Sequence, residues 1–232
     1  MTHVQRHSSV FALLLGGLLI TAPTGAAHAQ STEVFAPTTG SGPGVLLISR
    51  VSGTALYQDF GRAVADLGYT AILVSGKDVS NQPGESAENL RKIFASIRSD
   101  SRVKPGKIAV VGFSLGGGGA LLHAANQPEL VSAVAAYYPA VIRLPSIADT
   151  ARRVTVPTLI LAGEKDRFNN CCLIESIREF EAAAKAGERP VMVVTYPEAE
   201  HAFNLKVPMF RPDDAADAWS RVQEFLLKYR PK

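Results

Sequence analysis

The sequence predicts a single α/β domain: a mostly parallel central sheet with helices on both faces and no lid domain. Three observations carry that prediction. Short apolar, β-branched runs alternate along the chain with segments of helical spacing, the pattern of successive strand–helix units. The runs are continuous rather than alternating, as strands buried on both faces require. Finally, 232 residues, 47% hydrophobic and 19% charged, supply one substantial core. No repeat, low-complexity tract or linker divides it.

Taken in order, the chain begins with a weakly basic start at Arg6, an apolar run Val10–Ile20 and the small-residue site Ala27-His28-Ala29. This is the layout of a secretory signal peptide cleaved after Ala29, so the folded domain is expected over residues 30–232. The apolar run falls well short of the ~20 residues that a retained membrane helix needs. No cysteine lies near the cleavage point and the arginine stands alone, which argues against lipid anchoring and twin-arginine export. A periplasmic or secreted protein without stable membrane insertion is the expectation.

After a polar lead with Pro37 and Gly40 to Gly44, strands are predicted at Val45–Ser49, Thr70–Val74, Lys107–Gly112, Ala133–Tyr138, Thr158–Ala162 and Val191–Tyr196. Helices are predicted at Ala55–Leu67, Ser86–Ser99, Leu115–Asn126, Leu173–Ala186 and Asp213–Lys228. The last places Ala216, Trp219, Val222, Phe225 and Leu226 on one face. Cleavage would lower the formal charge from +3 to +2 by removing Arg6. That balance, with bases scattered as at Lys77, Arg91, Lys92, Arg152 and Arg153, excludes a nucleic-acid-binding role.

Chemistry concentrates at VVGFSLGGGG, Val110–Gly119, where strand gives way to helix. A phosphate-binding loop would need Lys followed by Ser or Thr after its last glycine, and here Ala120-Leu121-Leu122 follows. The dinucleotide pattern fails too, because leucine stands at 121 and 122 where a third glycine is required. What fits is G-x-S-x-G at a strand-to-helix turn: Gly112 and Gly116 let the backbones approach, and Ser114 is lifted out as a nucleophile. The Leu115 N–H at the helix start then points into the same space, suited to an oxyanion.

A serine hydroxyl needs a base. Beyond the signal segment only His123 and His201 remain. His123 lies nine residues along the helix, about 13 Å from Ser114 at 1.5 Å per residue. His201, in the loop after the last strand, is therefore the base. A carboxylate must orient it, and both Glu164 and Asp166 follow the strand TLILA; Asp166 is preferred because the extra residues let the chain turn back. The second oxyanion N–H is expected from Val51, after the first predicted strand. Arg50 beside it, with Phe113, Tyr138, Phe168 and Phe203, would contact substrate. Adjacent Cys171 and Cys172 are expected as packed thiols, a vicinal disulfide being the alternative, and they lack the spaced partners of a zinc site. No metal or organic cofactor is implied.

With these residues placed, the chain resembles the dienelactone hydrolase family of α/β-hydrolases over nearly its whole length. The resemblance rests on VVGFSLGG, LILAGEKD, YPEAEHAFN and the closing DAADAWSRVQEFL. It implies nucleophile, acid and base at Ser114, Asp166 and His201, with oxyanion donors at Leu115 and Val51. Members that open dienelactones differ in carrying cysteine where Ser114 stands and glutamate where Arg50 stands; Lys206 is offset from one of their substrate-gripping arginines. The expected activity is hydrolysis of a small carboxylic ester, lactone or thioester by a serine hydrolase. The alternatives are carboxymethylenebutenolidase activity proper, a peptidase or polyester depolymerase on the same residues, and a non-catalytic binding protein on the scaffold.

Overall fold

The computed structural model describes residues 32–82 and 84–231, together with Met1. The expected signal segment therefore lies, Met1 aside, outside the described residues. Seven strands form one sheet: β1 (Glu33–Phe35), β2 (Gly42–Ile48), β3 (Thr70–Val74), β4 (Val103–Phe113), β5 (Val131–Tyr137), β6 (Thr158–Gly163) and β7 (Val191–Tyr196). Their spatial order is β1-β3-β2-β4-β5-β6-β7. Strand β1 runs antiparallel to β3, and every other pairing is parallel.

Continuous apolar strands bury both faces, and their alternate residues divide one core into two. Leu46, Ile48, Val110, Val134 and Ile160 pack with helices α2 (Glu85–Ser99) and α5 (Ile174–Ala186) on one face. Val45, Leu47, Val111, Ala135 and Leu159 pack with α1 (Gln58–Asp66) and α6 (Pro212–Lys228) on the other. In α6 the apolar stripe Ala218, Val222, Phe225 and Leu226 is buried; Trp219 packs against the same cluster at its edge.

Three departures from the expected elements have local causes. Strand β1 is too short to show a period, yet it pairs Glu33–Phe35 with Ala71–Leu73 and caps an edge. Strand β4 starts four residues early, but its register against β2 shifts between Pro43 and Val45, around Pro105, which has no N–H to give a ladder. The helix after Ser114 is split into α3 (Leu115–Gly119) and a π-helical turn, Ala120–Ala124, closed by Ala125 N–H to Ala120 O at 3.0 Å. A short helix, α4 (Ile147–Arg152), follows β5, capped by Ser146 Oγ accepting from the Asp149 N–H at 3.1 Å.

The strand order positions the site. From β2 the chain steps to β3 on one side, then returns across β2 to β4 and continues the other way. The crevice beyond the carboxyl ends of β2 and β4 is the place where such sheets leave room for a ligand. Ser114 follows β4 directly, and Val51 comes three residues after the end of β2.

Candidate active site

Ser114 sits at the apex of the turn between β4 and α3 with φ 54° and ψ −113°, a left-handed conformation that a non-glycine residue adopts only when its surroundings enforce it. The enforcement is visible. The Ser114 N–H donates to Tyr137 O at 3.0 Å, and the Ser114 carbonyl accepts from Gly118 and Ala140 N–H, each at 2.9 Å. Glycine is required on both sides: a Cβ at Gly112 would lie 2.4 Å from Gly116 O, and one at Gly116 would lie 2.4 Å from Ile48 O.

The loops after β6 and β7 are fastened to each other through their backbones. Glu164 N–H donates to Tyr196 O at 2.9 Å and Lys165 N–H to Ala199 O at 3.0 Å. This brings the expected base and acid together. His201 Nδ1 is 2.7 Å from Asp166 Oδ2, and Nε2 is 3.0 Å from Ser114 Oγ. Because an ionised carboxylate only accepts, Nδ1 carries the proton and Nε2 is left to accept from the serine hydroxyl. Asp166 is wholly buried, and its other oxygen accepts from the Phe168 N–H at 3.0 Å. Glu164 instead points outward, 3.5 Å from Arg178. Between the two carboxylates left open by sequence, only Asp166 touches His201.

Ser114, Leu115 and Val51 line one cleft of about 260 Å³ together with Ala140, Arg143, Phe168, Asn169 and Cys171. Larger clefts of about 430 Å³ include neither Ser114, Asp166 nor His201, so volume alone does not locate the site. The Leu115 N–H belongs to the first turn of α3, where donors lack helical partners.

The expected substrate contacts need correction. Phe168 does line the cleft, and its ring stacks on His201 with centroids 4.5 Å apart. Phe113 and Phe203 are fully buried: Phe113 packs against Tyr57 and Tyr137, and Phe203 against Tyr196, behind the cleft rather than in it. Tyr138 is also buried; it meets His201 edge-on at 4.7 Å and donates to Asn204 Oδ1 at 2.9 Å. Its hydroxyl is held well above the usual phenol range by burial, so it stays protonated. Arg50 does not line that cleft, and its Nε donates to Ser52 Oγ at 2.6 Å. Arg143 and Asn169 were missed, since they stand on turns after β5 and β6 that carry no periodic signal. Cys171 and Cys172 are joined as a disulfide rather than packed as thiols. The tight turn Phe168–Asn170 before them, with Asn169 and Asn170 both at left-handed φ, delivers them to the cleft edge.

His123, excluded above on distance, is indeed elsewhere: its Nε2 donates to Gln82 O at 2.9 Å, and burial holds its pKa below the usual value.

A mostly parallel sheet with a serine at a strained turn on its carboxyl edge defines an α/β-hydrolase. The model of the dienelactone hydrolase family matches residues 74–230, and the chain belongs to that family. Among curated relatives, a Yersinia pestis protein named "Putative carboxymethylenebutenolidase" is 31% identical over 82% of this chain and 80% of its own length. A Methylorubrum extorquens protein of the same name is 26% identical over 82% and 73%. Among solved structures, a "Putative Dienelactone Hydrolase" from Klebsiella pneumoniae superposes with a TM-score of 0.75 at 22% identity, covering 86% of this chain and 93% of its own. Est1E from Butyrivibrio proteoclasticus gives 0.67 at 16%, covering 85% and 93%. At those identities the two structures speak for the fold alone.

Proposed function

We propose that this hydrolase cleaves small carboxylic esters through an acyl-enzyme on Ser114. His201 Nε2 takes the Ser114 proton as Oγ bonds to the acyl carbon. The carbonyl oxygen becomes an oxyanion facing the Leu115 and Val51 N–H groups. Collapse expels the alcohol, which leaves with the proton from His201. Water then enters, loses a proton to Nε2, releases the acid and restores Ser114. Asp166 holds the imidazole in the required tautomer and stabilises its charged form.

The observation that carries this reading is the continuous hydrogen-bonded line from buried Asp166 through His201 to a strained Ser114 that opens on a cleft. The cleft's size favours short acyl groups, since drug-sized ligands occupy about 300–1,000 Å³. Lactone opening is the second reading, favoured by the names of the curated relatives. The test is turnover of p-nitrophenyl acetate and butyrate, and of a dienelactone, by wild type and Ser114→Ala, with fluorophosphonate labelling alongside. Folded wild-type protein that neither labels nor turns over any of them sinks the proposal.

Export rests on Arg6, the run Val10–Ile20 and Ala27-His28-Ala29. Among the described residues no helix is long and apolar enough to cross a membrane. Intact mass of the exported protein should correspond to a chain that starts at Gln30; a cytoplasmic chain retaining residues 1–29 contradicts export.

A further inference from the structure

The disulfide beside the site is more than a wall. Both sulfurs of Cys171 and Cys172 and a ring nitrogen of His201 lie within 4.8 Å of one another. All three residues are buried, at 6%, 1% and 3% exposure. Cys171 nevertheless lines the same cleft as Ser114, so a small ion has a route in. Two sulfurs and an imidazole are the donor set of a soft divalent cation. Bond lengths of about 2.3 Å to sulfur and 2.0 Å to nitrogen place ligands of one ion within about 4.6 Å of each other. A His201 nitrogen lies within 4.8 Å of both sulfurs, close to that span, and breaking the S–S bond frees the two sulfurs to part around an ion. A carboxylate already stands behind the imidazole, since Asp166 holds Nδ1 at 2.7 Å, the arrangement that fixes a metal-ligating histidine.

We propose that Cys171, Cys172 and His201 form a site for a thiophilic divalent cation, created by reduction of the disulfide, that disables the hydrolase when filled. The inference rests on the esterase reading only for its consequence, loss of turnover. A phosphine reductant takes the oxygen of one water to become its oxide, and the disulfide receives two electrons and two protons to give two thiols. On metal binding both thiols release their protons to solvent, and each sulfur donates a pair to the cation. Nε2 donates the pair that would otherwise receive the Ser114 proton, so the base is lost while its position is kept. With the disulfide intact, the sulfurs are spent on each other and the cation finds no site.

The full chain, reduced with a water-soluble phosphine and freed of excess reductant, is titrated with Cd²⁺. An ultraviolet thiolate-to-cadmium band should grow to saturation at one ion per chain while ester turnover falls at least tenfold. Unreduced protein should show neither change. His201→Ala should weaken binding by about a hundredfold, the upper end of what loss of an outer partner alone costs. Cys172→Ser should give no saturable band, and its turnover, whatever the basal rate, should ignore Cd²⁺. A band of equal affinity in His201→Ala, or full turnover at saturation, overturns the proposal. If the untreated protein has no ester turnover, the functional reading has failed, and the band with its dependence on His201 still decides the site.

Discussion

At the scale of single residues, the two carboxylates after β6 have been sorted by what they touch. Asp166 is buried with one oxygen on His201 and the other on a backbone N–H, whereas Glu164 meets Arg178 at the surface. Asp166→Asn should therefore lower kcat by about 10⁴-fold through the wrong imidazole tautomer. Glu164→Gln should stay near wild type, because an exposed pair at 3.5 Å is worth little. Steady-state kinetics on a p-nitrophenyl ester decides between them, and the reverse ranking would remove Asp166 from the mechanism. Phe168 illustrates a different role: its ring lies flat on the His201 imidazole, which limits how that imidazole can turn, and it also lines the cleft.

At the scale of elements, the glycines around Ser114 act by closeness of approach. A Cβ at Gly116 would meet Ile48 O at 2.4 Å, Ser49 O at 2.5 Å and Ile48 Cγ2 at 2.6 Å. Two of these are backbone atoms in or just after β2, which cannot turn aside as a side chain can. Gly116→Ala should cost about 3 kcal/mol, a Tm loss of roughly 6–12 °C. It should also reduce turnover by displacing the end of β2 that carries Val51; an unchanged Tm would show that the turn has slack. The same physics explains what could be read in advance. Long apolar runs and fixed-spacing motifs announced β2 to β7, the major helices, Ser114, Asp166 and His201. Strand β1 and helix α4 did not announce themselves, because three and six residues hold less than two periods of any pattern. Phe113 and Phe203 were misplaced because sequence puts an aromatic near an edge without saying which way it points. The disulfide-to-His201 proximity was invisible for another reason: it joins loops after β6 and β7 that meet only in the folded sheet.

At the scale of the molecule, charge is spread thinly. The surface pairs are mostly neighbours on one helix turn, such as Arg91 with Glu88 and Arg152 with Asp149, and contribute little net stability. Acid sensitivity should come instead from buried groups. Burial lowers the His123 pKa, an effect that its hydrogen bond to Gln82 O only partly offsets. The unfolded chain therefore binds a proton near 6.5 that the folded chain still refuses. The sign follows: the neutral imidazole's stabilisation is fully present above 6.5 and is lost as pH falls from there through the lower folded value. The slope from this group is at most about 1.4 kcal/mol per pH unit. Urea unfolding of wild type and His123→Gln across that window should show the variant losing less stability on acidification; parallel curves would acquit His123. The loop after β6 has a last consequence at this scale. Within residues 164–172 it holds the carboxylate, the ring against the imidazole and the paired sulfurs. Such a segment is one cassette: nine consecutive residues carry the carboxylate on His201, the ring that lines the cleft and the paired sulfurs, so a graft of residues 164–172 into a sister hydrolase would move all three together.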